Sequence, residues 1–223
     1  MAGVHVHHEG ALRRIELDRP ERAHAYDRAI LEALDAALGG RVMVLSSTGE
    51  GAFCGGADLN QMAHARPLDA LDLYSQAVFD RLATHTAVSI CAIQGAAVAG
   101  GCELALACDL RIAGPKAWFK LPEVSLGLIP SAGGCTRLPE VIGPARAREM
   151  ILLGRPIDAQ TALAWGLVNE IHDDPSSRAL ELGRDLLQRD AVALRMAKQV
   201  LTDPTLEKER VAEALLYHRR RKE

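Results

Sequence analysis

Two turns of small residues stand where main-chain groups could bind a negatively charged oxygen. Each joins a strand-length apolar run to a predicted helix start, at residues 45–57 and 93–101. The first N–H groups of a helix lack an intrahelical acceptor and carry the positive end of its dipole. One such amide from each turn, for example those of Ala57 and Gly100, predicts a two-donor oxyanion hole. Taken alone, each turn more often serves tight packing of a helix on a strand.

Two glutamates accompany these turns. Glu103 follows Gly100 by three residues, so helical spacing places it on the same face as the turn. Its apolar neighbours leave two interpretations open: a first-turn charge favoured by the dipole, or a base whose pKa is raised by desolvation. Glu123 follows Pro122 in a predicted loop, where a solvated carboxylate is the alternative. Two carboxylates around one water can take a proton from it and deliver one to carbon, which indicates hydration of an activated double bond.

Buried strands and helices that alternate along the chain must position these groups. Residues 12–17 predict a strand, and the apolar runs at 42–45 and 88–93 are typical of strands buried on both faces. Helices are predicted between Tyr26 and Gly39, over about residues 68–83, and from Pro144 to Leu153. The pattern favours an α/β fold with a core at 1–157, built as a spiral of strand-turn-helix units, and a helical region at 158–223.

Composition narrows the class of protein. A net charge of −3 argues against a nucleic-acid partner, and 48% hydrophobic with 25% charged residues is typical of a globular chain without membrane spans. Five cysteines without a C-x-x-C pair predict reduced thiols and a cytoplasmic location. His5, His7 and His8 alternate with valines, which indicates an exposed strand face rather than a metal site. We therefore expect no metal and no redox cofactor.

Three ordered segments resemble the signature segments of the enoyl-CoA hydratase/isomerase, or crotonase, family. They are residues 52–59 (AFCGGADL), 95–109 (GAAVAGGCELALACD) and 121–134, within a resemblance that covers about residues 17–170. It implies that the Ala57 and Gly100 amides form the oxyanion hole for an acyl-CoA thioester. It implies a substrate-binding set of Ala57, Asp58, Leu59, Asn60 and Gly100. CoA then belongs to the substrate and is not a separate cofactor.

The resemblance also bears on the reaction. Glu103 and Glu123 match the two hydratase glutamates, whereas family isomerases commonly keep only the second, so the pair favours a hydratase of fatty acid metabolism that acts on 2-enoyl-CoA. Three alternatives stay open: an isomerase, another enolate reaction such as hydrolysis or decarboxylation, and a non-catalytic partner protein with the crotonase fold.

The family implies repeated ββα turns and a homotrimer, or a homohexamer of two trimers, built with C-terminal helices. The sequence departs from the family at three places. The helix before Gly39 is shorter than usual. The C-terminal helical region is shorter than usual, and His24 stands where the family usually has an asparagine beside the CoA pocket. We interpret His24 as a surface histidine.

Overall fold

A computed structural model describes residues 3–58 and 73–221. These residues form two sheets and nine α-helices. The strands are Val4–Glu9 (β1), Leu12–Leu17 (β2), Val42–Ser47 (β3), Val88–Ile93 (β4), Ala96–Val98 (β5), Leu110–Ala113 (β6), Trp118–Lys120 (β7), Ile157–Asp158 (β8) and Glu170–Ile171 (β9). The helices are Arg28–Ala37 (α1), Tyr74–Thr84 (α2), Gly100–Leu106 (α3), Gly134–Ile142 (α4), Pro144–Leu153 (α5), Ala159–Trp165 (α6), Pro175–Leu187 (α7), Ala191–Thr202 (α8) and Leu206–Arg220 (α9).

The larger sheet has six strands in the order β1-β2-β3-β4-β6-β9. Strands β1 and β2 form an antiparallel hairpin, and every later pair in the sheet is parallel. All six residues of β3 and all six of β4 are buried. Side chains on a strand alternate between its faces, so an unbroken apolar run needs cover on both sides. Met43 and Leu45 pack in the cluster that includes α1, α2 and α3, whereas Val42 and Val44 pack with α7.

The smaller sheet has the order β5-β7-β8. Strands β5 and β7 are parallel, with Ala96 opposite Trp118 and Val98 opposite Lys120. On the other side of β5, Cys54 bridges to Ala97. The carboxyl ends of β5 and β7 therefore lie side by side, and each leads into one of the segments singled out above.

Several predicted elements are confirmed. The strands at 12–17 and 88–93 and the helix at 144–153 have the predicted bounds, and the α/β class is as expected. The helix predicted over about 68–83 is described only from residue 74 onward, and its earlier part lies outside the described residues.

The last helices differ in how they contact the sheet. Helix α7 packs on it, and a Cβ at Gly183 would lie 2.8 Å from a methyl carbon of Leu12. Helix α9 buries none of its residues. Among the described helices, none is both long enough and apolar enough to cross a membrane. The division into 1–157 and 158–223 stays a prediction.

Candidate active site

The two small-residue turns predicted from the sequence pack against each other. A Cβ at Gly56 would lie 3.0 Å from the Gly100 nitrogen, and a Cβ at Gly101 would overlap the Cys54 carbonyl oxygen. The Cys54 carbonyl also accepts from the Val98 N–H at 3.0 Å. Glycines here permit close approach of two backbones, so tight packing and the juxtaposition of Ala57 with Gly100 arise from one arrangement.

The Ala57 N–H points away from the segment around Tyr26, with which Ala57 is paired. Ala57 bridges in parallel to Tyr26: the Tyr26 N–H donates to the Gly56 carbonyl at 2.8 Å, and the Asp58 N–H donates to the Tyr26 carbonyl at 2.9 Å. In such a bridge the central residue turns its own N–H to the opposite side. Neither Ala57 nor Gly100 donates its N–H to an acceptor within residues 3–58 and 73–221. Both amides can therefore donate to a ligand.

A strained residue sets the start of α3. Ala99 has φ 51° and ψ −127°, a conformation that L residues rarely adopt. Its carbonyl accepts from the N–H groups of Cys102 and Glu103 at 2.9 and 3.1 Å, and its N–H donates to the Lys120 carbonyl at 2.8 Å. This turn leads the chain from β5 into α3 and leaves the Gly100 N–H at the N-terminus of the helix. Strain at such a turn typically costs about 1–3 kcal/mol.

Glu103 is a buried carboxylate held by main-chain amides. It is 3% exposed, and its Oε1 atom accepts from the N–H groups of Ala132 and Gly134 at 2.7 and 2.8 Å. Burial raises the pKa of Glu103 to about 7, and the neighbouring Glu123 acts in the same direction, against the two amide hydrogen bonds. Of the two interpretations from the sequence, the structure supports the desolvated carboxylate with a raised pKa, and its role as a base stays a prediction.

Glu123 is also buried. It is 7% exposed, at the start of a 3-10 turn that follows Pro122 directly after β7. Its Oε2 atom is buried and has no hydrogen-bond partner among the described residues. Burial raises the pKa of this carboxyl group as well. The solvated carboxylate considered from the sequence is therefore wrong, because the group is withdrawn from water.

Comparison with known proteins shows which family the chain belongs to. A profile of the enoyl-CoA hydratase/isomerase family matches residues 7–220. The chain belongs to that family. It is 35% identical over 204 residues to a probable mitochondrial enoyl-CoA hydratase 2 of Arabidopsis thaliana, a match that covers 85% of this chain and 66% of that protein. It is 31% identical over 204 residues to a short-chain-enoyl-CoA hydratase of Clostridium acetobutylicum, covering 86% and 78% of the two chains.

Solved structures of the family share the fold. A putative enoyl-CoA hydratase from Thermobifida fusca, solved in complex with CoA, superposes with a TM-score of 0.90 at 30% identity, over 100% of this chain and 95% of that one. An enoyl-CoA hydratase from Bacillus anthracis gives a TM-score of 0.89 at 32% identity, over 97% and 90% of the two chains. The crotonase-like α/β fold predicted from the sequence is confirmed.

Three predicted substrate-binding residues of this enoyl-CoA hydratase/isomerase family member directly follow Ala57 in the sequence. Asp58 is buried, and its carboxylate pairs with the Arg19 guanidinium at 3.1 Å. Leu59 and Asn60 lie outside the described residues. The substrate-binding roles of these three residues stay predictions.

The interpretation of His24 as a surface residue is wrong. His24 is 2% exposed, its Nδ1 atom accepts from the Arg19 N–H at 3.0 Å, and its carbonyl accepts from the Cys54 thiol at 3.3 Å. Its φ of 53° is left-handed, a region in which histidine and asparagine are enriched. The asparagine that the family usually has at this position could have indicated the turn, because asparagine and histidine both suit a left-handed conformation. Burial lowers the pKa of His24, which favours the neutral ring.

Proposed function

We propose that this chain is an enoyl-CoA hydratase that adds water across the double bond of a 2-enoyl-CoA thioester. The observation that carries the proposal is the pairing of two buried carboxylates, Glu103 and Glu123, on the segments that follow two adjacent parallel strands. Beside them lie the Ala57 and Gly100 amides, which have no acceptor among the described residues. Water addition needs a base, an acid and an oxyanion hole, and these groups supply all three.

Each group has a defined task in the proposed reaction. The Ala57 and Gly100 N–H groups donate to the thioester oxygen and stabilise the negative charge that develops there. Glu103, as carboxylate, takes a proton from water while the water oxygen bonds to C3 of the acyl group. Glu123, as carboxylic acid, delivers its proton to C2. Transfer of the proton from Glu103 back to Glu123 through solvent resets the pair.

The hydrogen bonds of the two carboxyl groups differ in a way that supports this division, whereas burial raises the pKa of both groups. Two amide hydrogen bonds stabilise the ionised form of Glu103, as a base requires. The buried Oε2 of Glu123, in contrast, lacks a donor among the described residues, so no amide there stabilises an ionised oxygen. The reaction is redox neutral and its charge is stabilised by amides, so we propose that it uses no metal and no separate cofactor.

Loss of the conjugated-thioester absorbance of crotonyl-CoA tests the proposal. We expect the wild-type chain to consume crotonyl-CoA, and Glu103→Ala and Glu123→Ala each to reduce kcat by at least about 100-fold. Glu213→Ala, at an exposed position on α9, is the matched control and should keep its rate. A wild-type chain that binds crotonyl-CoA without hydrating it would refute the hydratase assignment.

Double-bond migration is a second candidate, favoured by the Oε2 atom of Glu123, which has no hydrogen-bond partner in the described part of the chain. One acid-base group can move a proton between two carbons of an enolate. An isomerase that works through Glu123 alone should tolerate Glu103→Ala, whereas a hydratase should not. Thioester hydrolysis or decarboxylation would instead release free CoA or carbon dioxide, and a non-catalytic partner protein would leave every acyl-CoA unchanged.

We further propose that the chain forms a homotrimer or a dimer of trimers in the cytoplasm. Helices α8 and α9 expose apolar side chains at Leu201, Leu206, Val211 and Leu215, and such surfaces mark protein contacts when they are contiguous. The five cysteines are free, which is consistent with a reducing compartment.

A further inference from the structure

One residue, Tyr26, contacts the segments that carry both proposed oxyanion donors. Its main chain brackets Ala57 with the two hydrogen bonds described above, to the Gly56 carbonyl and from the Asp58 N–H. Its side chain extends to the start of α3, where Gly100 lies. In the sequence, Tyr26 only marks the start of a predicted helix.

The Tyr26 hydroxyl occupies the space beside Gly100. A Cβ built on Gly100 would overlap the hydroxyl oxygen and lie 2.8 Å from the ring carbon Cζ. The φ angle of Gly100 is outside the left-handed region, so an L residue is compatible with its backbone conformation. Glycine is required here because Tyr26 fills the place of a side chain, and the tyrosine in turn limits how far the Gly100 amide can move.

The ring itself is held on its other side. Tyr26 is 6% exposed, and it packs edge-on against Phe79 with ring centroids 5.6 Å apart, an arrangement favoured by aromatic quadrupoles. A hydrogen bond with the Ser75 side chain fixes the hydroxyl end. The ring is thus constrained by α2 on one side while it contacts Gly100 with its hydroxyl.

The hydroxyl is neutral in this environment. Burial raises the pKa of Tyr26 far above its usual range, and the nearby Cys54, Glu103 and Glu123 act in the same direction, against the Ser75 hydrogen bond. A phenolate beside Gly100 would repel the enolate oxygen, whereas a neutral phenol adds no opposing charge. Tyr26 can therefore lie next to the oxyanion hole without weakening it.

We infer that Tyr26 is a positioning residue of the oxyanion hole, which fixes the Ala57 amide through its main chain and the Gly100 amide through its hydroxyl. The inference rests on the proposed use of these two amides as thioester donors. Donors held in place before the reaction stabilise the transition state without reorganisation, so loosening one of them lowers kcat more than it raises KM.

Tyr26→Phe isolates the hydroxyl, because it keeps the ring, the Phe79 contact and the main-chain bridge. The variant leaves a gap of one oxygen atom beside Gly100 and removes the Ser75 hydrogen bond. Complete loss of an oxyanion donor typically costs about 100- to 1,000-fold in kcat, and a displaced donor should cost less. We expect kcat for crotonyl-CoA to fall about 10-fold while KM changes less than about 3-fold.

A spectroscopic measurement separates positioning from general structural support. Cinnamoyl-CoA is a conjugated thioester whose absorbance moves to longer wavelength when donors polarise its carbonyl. The full-length chain should produce this red shift, Tyr26→Phe should reduce it to less than half, and Tyr217→Phe, which removes an exposed phenol on α9, should leave it unchanged. Urea unfolding of each variant shows that it is folded.

The outcomes distinguish the two proposals. A full red shift in Tyr26→Phe overturns the positioning role and leaves the oxyanion hole intact. A red shift in the wild-type chain without hydration refutes the hydratase and retains the role of Tyr26. The absence of a red shift in the wild-type chain overturns both. If Tyr26→Phe does not fold, Ser75→Ala decides: a reduced shift supports the role, and an unchanged shift overturns it.

Discussion

Replacing Glu103 by glutamine removes a buried charge but keeps the oxygen that the Ala132 and Gly134 amides hold. The carboxyl group binds its proton more tightly in the folded chain than in the unfolded chain, because burial raises its pKa from 4.5 to about 7. Its protonated form therefore stabilises the fold at low pH, and this contribution is lost as the pH rises through about 7. Glutamine stays neutral throughout, so the substitution should stabilise the protein progressively as pH increases.

The magnitude follows from the pKa shift of Glu103. One pKa unit corresponds to about 1.4 kcal/mol, so the complete shift corresponds to about 3 kcal/mol. Most of it is titrated between about pH 5 and about pH 8, where the wild-type chain should lose roughly 2.5 kcal/mol relative to Glu103→Gln. The same variant should also lack the proposed hydratase activity, because glutamine cannot accept the proton of water.

Urea unfolding of both chains at these two pH values measures the difference. The gap in free energy of unfolding between Glu103→Gln and wild type should grow by about 2–3 kcal/mol from the lower to the higher pH. Glu213→Gln, an exposed substitution on α9, controls for loss of a glutamate as such and should show the same gap at both pH values. An equal gap at both pH values for Glu103→Gln would show that the pKa of Glu103 is not raised, and the reasoning would fail.

Two further predictions concern the same region. The kcat/KM for crotonyl-CoA should rise with pH through about 7 as Glu103 loses its proton, and a flat profile between about pH 5.5 and 8 would exclude Glu103 as the base. Ala99→Gly should relieve the strained φ of 51°, and after the greater chain entropy of unfolded glycine is subtracted, the gain should be about 1 kcal/mol, seen as a Tm higher by roughly 3 °C. A lower Tm would mean that the conformation of Ala99 carries no strain.

Local sequence patterns were sufficient to predict the buried central strands of the fold. The apolar runs that became β3 and β4 are covered on both faces, and this burial is what their composition predicted. Glu103 and Glu123 were found because one lies at a helical spacing from a glycine turn and the other follows a stiffening proline.

Contacts between distant segments were not encoded in those patterns. Strands β5 and β7 have three residues each, and a pairing between two such short strands leaves no pattern in the sequence. His24 was misplaced because hydrophobicity predicts exposure for an isolated histidine, whereas its burial depends on a left-handed turn and on Arg19. The position of Tyr26 beside Gly100 arises from the bridge to Ala57, which joins residues 31 positions apart.

The two proposed oxyanion donors are amides of the main chain, and this has a consequence for how the site can evolve. A side-chain donor disappears with a single substitution, but a peptide N–H survives every substitution except proline. Under the proposed mechanism, mutations at Glu103 or Glu123 alter the acid-base partner and leave the capacity to stabilise an enolate in place. The fold therefore retains the proposed oxyanion donors while the proton donors and acceptors around them change.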